Sequence, residues 1–274
     1  RISSLVPGNT YYYQSYIQYD GEAVYGDVSS FRTDTMDLSS SGSANCYIVS
    51  KSGEYKFSTV KGNSIESVGA VASAEVLWET FGTDVTPNVG DLVKNAVYTD
   101  GCITFQTTET FKEGNAVIAA KDASGNILWS WHIWVVDDLA DQTYTNCEGQ
   151  PTFLDRNLGA TSNEYNNRYS IGLYYQYGRK DPFVIRTDAF TVTKSGDYYT
   201  ADVEITDVEV RTSDNSNMSW TIKNPNKRIV YTATASGNPP KGFNNWLNPE
   251  SEIYNNWGSP GKVTSVDECA VSKG

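Results

Sequence analysis

The sequence predicts a mainly β protein, in which tandem β-sandwich modules are followed by a loop-rich, incomplete α+β domain. Composition is the first reason: the 274 residues include 19 Tyr but only 2 Met, which favours strands and turns over helical bundles. The second reason is a series of short apolar segments that are separated by glycine-containing turns. The chain is long enough for about two or three domains.

Residues 1–34 are predicted to be the last strands of a first sandwich. Leu5 is followed by Pro7-Gly8 and then by Tyr11, which is the pattern of a tyrosine corner. This corner, the strand after it and the closing segment SFRT at 30–33 resemble the end of a fibronectin type III domain. Because two strands cannot bury a core alone, we expect either further strands upstream or a hairpin that packs on its neighbour.

Residues 35–44 are polar and are predicted to be a linker, and residues 45–138 are predicted to form a second β-domain. Its strand-like segments are 46–49, 55–57, 75–79, 102–105, 116–120 and 127–136. The first two are expected to pair across Ser52-Gly53, and the last two across the turn at residues 122–126. About seven short strands in one segment indicate an immunoglobulin-like sandwich.

The segment 127–136 is the most apolar of these strands. Alternation places Trp129 and Trp131 on one face and Ser130, His132 and Trp134 on the other. A strand that is apolar on both faces is expected in the middle of a sheet or under the next domain. His132, which lies between tryptophans in the middle of a strand, is therefore predicted to be a packing residue and not a catalytic base.

Residues 139–274 are predicted to form a third, loop-rich unit that is organised around the segment 153–183. Asp155 and Arg156 are expected to form an internal ion pair that fixes a turn. A short aromatic element, helical from Ser170 and ended by Pro182, is expected to plug a core. Farther along the chain, a hairpin is predicted around residues 195–197 and a strand at 228–231.

The motifs of this third unit follow a distinctive order. DRNLGA at 155–160 precedes GLYYQYGRKDPF at 172–183, which is followed by IKNP at 222–225, NWL at 245–247 and WG at 257–258. In this order they resemble modules repeated in surface lipoproteins of Bacteroidetes. The resemblance implies a C-type-lectin-like fold for the unit, an extracellular cell-surface location and a lipid anchor upstream of this segment. It carries over no catalytic residue.

The third unit departs from that family near its end. The family continues through a motif that begins Asp-Pro-Cys-Pro, whereas residues 267–271 read DECAV and contain neither proline. The lectin-like unit is therefore expected to be truncated.

Charge and cysteine content exclude several classes of protein. The net charge of −12 argues against a nucleic-acid partner, because phosphate binding needs a basic face. No metal or other cofactor is predicted, since the chain has 1 His and its cysteines are far apart in sequence. Cys46, Cys102, Cys147 and Cys269 allow one or two disulfides or buried thiols. No apolar stretch has membrane-spanning length, so no membrane insertion by this segment is expected.

Oxygen-bearing side chains offer weak candidates for catalysis or calcium binding. Asp137, Asp138, Asp155 and Glu164 are the carboxylates that glycoside hydrolysis would need, but a strand end and an internal ion pair explain them better. The clusters at 214–217 and 267–268 lack the spacing of a calcium loop and are predicted to be solvated.

Two tryptophans form the predicted ligand-binding site. Trp246 follows Asn245, and Trp257 follows Tyr254 and Asn256, all in a turn-rich segment. Planar aromatic rings stack on the apolar faces of sugars while amides bond hydroxyl groups, and the same chemistry serves protein interfaces. The alternative is that both tryptophans fill the core of a loop-rich domain.

The predicted function is non-enzymatic adhesion or ligand binding at a cell surface, with a protein or a glycan as the partner. One alternative is a structural subunit of a surface fibre or of a phage virion appendage. Another is a glycan-binding accessory protein of a polysaccharide-utilisation system. The sequence leaves open whether copies of the chain associate with one another.

Overall fold

The computed structural model describes residues 5–137, 139–146, 149–150, 152–165, 167–183, 191–195, 198–202, 207–230 and 271–273. The protein is mainly β, as predicted, with 45% strand and 5% helix. Two larger sheets, of five and four strands, form a sandwich, and the other strands make two-stranded sheets.

The first two strands form a hairpin that stands apart from the sandwich. β1 (Thr10–Tyr19) pairs antiparallel with β2 (Glu22–Arg32) and with no other strand of the described residues. At the base, the Val6 amide donates to the Tyr11 hydroxyl at 2.7 Å, which confirms the predicted tyrosine corner. The Glu54 amide donates to the Pro7 carbonyl at 3.0 Å and ties this base to the sandwich.

Eight of the nine strands of the sandwich follow directly along the chain. They are β3 (Met36–Asp37), β4 (Cys46–Val49), β5 (Glu54–Ser58), β6 (Ser73–Phe81), β7 (Val93–Thr99), β8 (Cys102–Thr107), β9 (Gly114–Lys121) and β10 (Ile127–Val135). β9 and β10 pair antiparallel, which confirms the hairpin predicted across the turn at residues 122–126. In that turn, the Asp122 carboxylate accepts hydrogen bonds from the amides of Ser124 and Asn126.

The later elements are short. They are β11 (Asp141–Thr143), β12 (Thr152–Leu154), a 3-10 turn (Arg168–Ser170), β13 (Tyr174–Tyr175), β14 (Pro182–Phe183), β15 (Thr191–Ser195), β16 (Tyr198–Asp202), β17 (Val208–Val210), α1 (Met218–Lys223), β18 (Arg228–Val230) and β19 (Val271–Lys273). The antiparallel pair β15–β16 confirms the hairpin predicted around residues 195–197. β18 confirms the strand predicted at 228–231.

The hydrophobic core lies between the two larger sheets. One sheet has the strand order β19-β4-β10-β9-β6, and the other has the order β3-β5-β8-β7. Phe57 is central, because its ring centroid lies 5.0 Å from that of Tyr47 and 5.0 Å from that of Trp131, both on the opposite sheet. Such aromatic contacts across the two sheets make the sandwich one close-packed core.

β10 is buried on both faces, as its sequence predicts. Within its sheet it lies between β4 and β9. Trp131 and Ile133 point into the core of the sandwich, and Trp134 joins a second apolar cluster that includes Leu158. The Trp134 indole N–H donates to the Ala160 carbonyl at 3.1 Å. The DRNLGA segment therefore covers the outer face of this sheet.

Two predictions about the start of the sandwich are wrong. The segments 46–49 and 55–57 do not pair, because β4 lies parallel to β10 while β5 pairs with β8 in the other sheet. All residues of β4 are buried, as a strand in a sheet covered on both faces requires. Residues 35–44 are not a free linker, since β3 pairs with β5 and Leu38 lies in the core. One apolar side chain anchors this polar segment.

The prediction of a helix that begins at Ser170 is also wrong. The 3-10 turn ends at Ser170, and the aromatic residues that follow form β13, which pairs with β14. Gly172 stops the helix, because its φ of +80° is left-handed and a Cβ there would lie 2.5 Å from the Leu158 carbonyl oxygen. Strand β7 was not predicted, since its sequence VKNAVYT is polar for a strand and contains Asn95 at a φ of 57°.

Candidate functional site

The predicted ligand-binding residues Trp246 and Trp257, with Asn245, Tyr254 and Asn256, lie outside the described residues. Their role stays a prediction. Two other regions of the described chain concentrate chemically informative side chains. One is a buried polar network beneath the outer face of β10, and the other is the exposed hairpin β1–β2.

The buried network begins at His132, on the outer face of β10. Asn115 donates its amide N–H to the Gly159 carbonyl at 3.0 Å, so its oxygen is left to accept from His132 Nε2 at 2.9 Å. Nε2 therefore carries the proton, and Nδ1 accepts from the Tyr175 hydroxyl at 3.3 Å. Burial lowers the pKa of His132 to about 3, so the ring is neutral at physiological pH. The predicted packing role is confirmed.

A buried ion pair contacts the same face of β10 at Ser130, two residues before His132. The Lys180 ammonium donates to the Asp181 carboxylate at 2.6 Å and to the Ser130 hydroxyl at 2.7 Å. It also lies 4.6 Å from the centroid of the Trp129 ring, a cation–π contact. Burial lowers the pKa of Lys180, while the Asp181 carboxylate opposes that shift. We call Asn115, Ser130, His132, Tyr175, Lys180 and Asp181 the polar junction.

The polar junction attaches the third unit to the sandwich through buried hydrogen bonds. Its charged side chains and His132 are almost fully buried, with Lys180 3%, Asp181 4% and His132 1% exposed, while Tyr175 is partly buried. Lys180 satisfies its donors on Ser130 and Asp181, and His132 uses both ring nitrogens. These bonds fix the register of the third unit on the sandwich.

Arg179 extends this attachment toward helix α1. Its guanidinium donates to the Lys227 carbonyl at 2.6 Å and to the Asn224 carbonyl at 3.1 Å, just beyond the C-terminal end of α1. Gln176 binds the backbone of Ile229 in β18 in the manner of a strand, accepting from its amide and donating to its carbonyl. The GRKD segment, residues 178–181, together with Gln176 therefore joins β10, the end of α1 and β18 through hydrogen bonds. No residue spacing in the sequence predicts this role.

The predicted Asp155–Arg156 ion pair is confirmed at 2.8 Å. Arg156 lowers the pKa of Asp155, and Asn163 donates a further hydrogen bond to the same carboxylate. The turn that follows brings Gly159 against the sheet at a φ of +82°, where a Cβ would lie 2.6 Å from Leu173. Only glycine fits this close approach, which explains its place in the DRNLGA motif.

The remaining carboxylates have structural or solvated positions. Asp137 and Glu164 are exposed, and Asp138 lies outside the described residues. Glu79, which the sequence did not single out, is 6% exposed and accepts from the amides of Leu92 and Val93 at 2.9 and 2.8 Å. Burial raises the pKa of Glu79, and these backbone amides oppose the shift. Glu79 thus holds the loop that leads into β7.

The structure describes part of the candidate metal-binding and cysteine residues. Within the described chain, no group of three or more His, Cys, Asp or Glu side chains could hold a metal ion. In the 214–217 cluster, the Asn217 side chain caps helix α1 by accepting from the Trp220 amide at 2.9 Å. Cys46 is buried and Cys102 is half-buried, while Cys147, Cys269 and the 267–268 cluster lie outside the described ranges. None of the helices described is long and apolar enough to cross a membrane.

A small cleft opens where the third unit meets β6. It is lined mainly by Phe81, Tyr169, Ile171 and Leu173 and has a volume of about 80 Å³. Arg168, which also lines the cleft, forms an ion pair with Asp84. Small-molecule sites usually measure about 300–1,000 Å³, so this cleft is too small for a sugar.

The hairpin β1–β2 carries more exposed large hydrophobic side chains than any other element of the described chain. Nine of its large hydrophobic side chains are exposed: Tyr12, Tyr13, Tyr16, Ile17, Tyr19, Val24, Tyr25, Val28 and Phe31. Tyr19 is 84% exposed. The sequence predicts the tyrosine corner but not this surface, although five tyrosines between residues 12 and 25 are a signal of it.

Comparisons with known proteins add no assignment: no family model matches the chain, and neither a curated protein nor a solved structure is significantly similar to it.

Proposed function

We propose that this chain is a non-enzymatic adhesion or ligand-binding protein of a cell surface. One observation carries the proposal: the concentration of exposed aromatic and aliphatic side chains on the hairpin β1–β2. Soluble proteins rarely expose contiguous apolar patches of this kind unless the patch contacts a partner. Tyrosine is favoured at such surfaces because its ring supplies contact area while its hydroxyl stays hydrated.

The attachment of the hairpin supports the same proposal. Its base is held by the tyrosine corner at Tyr11 and by the bond from the Glu54 amide to the Pro7 carbonyl. Arg32 adds an ion pair with Glu54 at 3.1 Å. Within the described chain the hairpin is therefore held at its base, and most side chains on both of its faces are exposed.

The test is adhesion of the chain itself. Microspheres coated with the chain should be retained under flow on bacterial or epithelial cell layers, several-fold more than microspheres coated with albumin. Variants Trp246→Ala and Trp257→Ala, compared with the unaltered chain, test the predicted tryptophan site. Retention equal to that of albumin-coated microspheres on every cell layer would overturn the proposed function.

A structural subunit of a surface fibre or virion appendage is the second candidate. The observation that favours it is that each hairpin strand has only one strand partner in the described chain, so backbone donors and acceptors remain on both outer edges. Such edges accept a strand from another chain. Size-exclusion chromatography with light scattering separates the two: a defined trimer or polymer favours the fibre, and a monomer favours the adhesion protein.

A further inference from the structure

The two faces of the hairpin differ in chemistry. On β1, alternation puts Tyr11, Tyr13 and Ile17 on one face and Tyr12 and Tyr16 on the other. The first face also receives Phe31, whose ring centroid lies 5.7 Å from that of Tyr11 in a stacked arrangement. This face resembles the inner side of a sandwich sheet.

The second face, which we call the tyrosine–amide face, is amphipathic. It consists of Thr10, Tyr12, Gln14, Tyr16 and Gln18 from β1, and Ala23, Tyr25, Val28, Ser30 and Arg32 from the facing positions of β2. The Tyr16 and Tyr25 rings lie side by side with centroids 5.8 Å apart. Tyr12 is 74% exposed. Aromatic rings thus alternate along the strand with side-chain amides and hydroxyls.

The charge of this face limits its partners. Its one ionisable cation, Arg32, is paired with Glu54 at the base of the hairpin, so the rest of the face is uncharged. The chain as a whole carries a net charge of −12. A polyanion, such as a nucleic acid or an anionic membrane, finds no cationic patch on this face. An uncharged partner with many hydroxyl groups needs no cationic patch and is not repelled by the negative charge of the chain.

We infer that the tyrosine–amide face binds an uncharged polysaccharide. The tyrosine rings stack on the apolar faces of the sugars. The Gln18 amide and the Gln14 amide oxygen bond sugar hydroxyls, since the Gln14 amide nitrogen donates to the Gly26 carbonyl at 2.6 Å. Tyr12 and Tyr16 are four residues apart on one strand, which separates them by about 13 Å. That distance exceeds one sugar ring, so the face takes several consecutive sugars of a chain and binds monosaccharides weakly. This inference rests on the proposed function, of which it names the partner class.

Affinity electrophoresis of the full chain tests the inference. Gels containing hydroxyethylcellulose, a soluble β-1,3-glucan or a galactomannan should retard the chain, and at least one of them should do so strongly. The double substitution Tyr12→Ala/Tyr16→Ala should weaken that retardation about tenfold or more. Tyr16→Phe should retain it, because the ring persists. Tyr13→Ala, on the opposite face, is the matched control and should also retain it.

The outcomes separate this inference from the proposed function. If no neutral polysaccharide retards the chain, or if the Tyr12→Ala/Tyr16→Ala variant is retarded like the unaltered chain, the tyrosine–amide face is not a glycan site. Adhesion of coated microspheres in that case leaves the proposed function standing. Equal losses in the Tyr13→Ala control would likewise overturn the assignment to one face. Far-ultraviolet circular dichroism of every variant excludes misfolding as the cause.

Discussion

The polar junction and the hairpin β1–β2 place similar side chains in opposite environments. The junction buries an ammonium, a carboxylate and an imidazole, and each is bonded within the protein. The hairpin exposes tyrosines and aliphatic residues that would ordinarily be buried. The difference teaches that residue type alone does not predict which side chains of this protein are buried. The titratable groups of the polar junction hold two structural units together, whereas the apolar side chains of the hairpin face the solvent.

Breaking the buried ion pair should have the largest effect on stability. Lys180→Met leaves the Asp181 carboxylate buried without its ammonium, which should lower the free energy of unfolding by about 3–5 kcal/mol. The control is Arg32→Ala, which removes the exposed pair with Glu54 and should cost less than about 1 kcal/mol. Urea titration of both variants measures the difference. Equal losses would show that the junction is no more important for folding than a surface pair.

Acid should destabilise the protein through His132. Burial lowers the pKa of His132 from 6.5 to about 3, so in that window the unfolded chain binds a proton that the folded protein excludes. Stability is therefore lost as the pH falls from about 6.5 toward 3. Between about pH 6 and pH 4, the unaltered chain should lose about 2–3 kcal/mol more than His132→Gln. Parallel losses in the two proteins would contradict a buried neutral histidine.

Glu79 provides a smaller test within the sandwich. Glu79→Gln replaces one acceptor oxygen by a donor that faces backbone amides, which should lower the free energy of unfolding by about 1–3 kcal/mol. Glu75→Gln, on the same strand, changes only a half-exposed partner of Lys121 and should cost less than about 1 kcal/mol. Thermal denaturation followed by circular dichroism compares them. A Glu75→Gln variant that is the less stable of the two would contradict this account of the β7 loop.

Substitutions on the hairpin should have the smallest effect on stability. Tyr19→Ser removes a side chain that is 84% exposed, so the free energy of unfolding should change by no more than about 0.5 kcal/mol. Tyr11→Phe sharpens this prediction, because it removes the hydroxyl that accepts from Val6 and should cost about 1 kcal/mol. A large loss in Tyr19→Ser would mean that the hairpin tip is covered in solution.

The structures that could be predicted from the sequence are those whose contacts join residues close together along the chain. β9 and β10 are long and apolar and are joined by a turn that Asp122 organises, so their pairing was predictable. The tyrosine corner and the Asp155–Arg156 pair involve neighbours in sequence and were predictable for the same reason.

The failures involve contacts between distant parts of the chain. β4 and β5 are close in sequence, but burial of β4 on both faces sends them to different sheets. The polar sequence of β7 does not predict a strand, and this strand begins at Val93, whose amide donates to the Glu79 carboxylate. Most instructively, the run Arg179-Lys180-Asp181 consists of charged residues that are usually solvated, yet it is buried. Its hydrogen-bond partners, such as Ser130 and Asn224, are tens of residues away.

The shared face of β10 has a practical consequence for dividing this chain into pieces. A fragment that stopped after Asp137 would lose Leu158 and Ala160, which cover Trp134. It would also expose the imidazole of His132 to water, although burial keeps that ring neutral in the intact chain. The isolated sandwich would expose a new apolar surface and would aggregate more readily than the intact chain. Calorimetry of the intact chain should accordingly show the sandwich and the DRNLGA–GRKD segment melting in one cooperative transition.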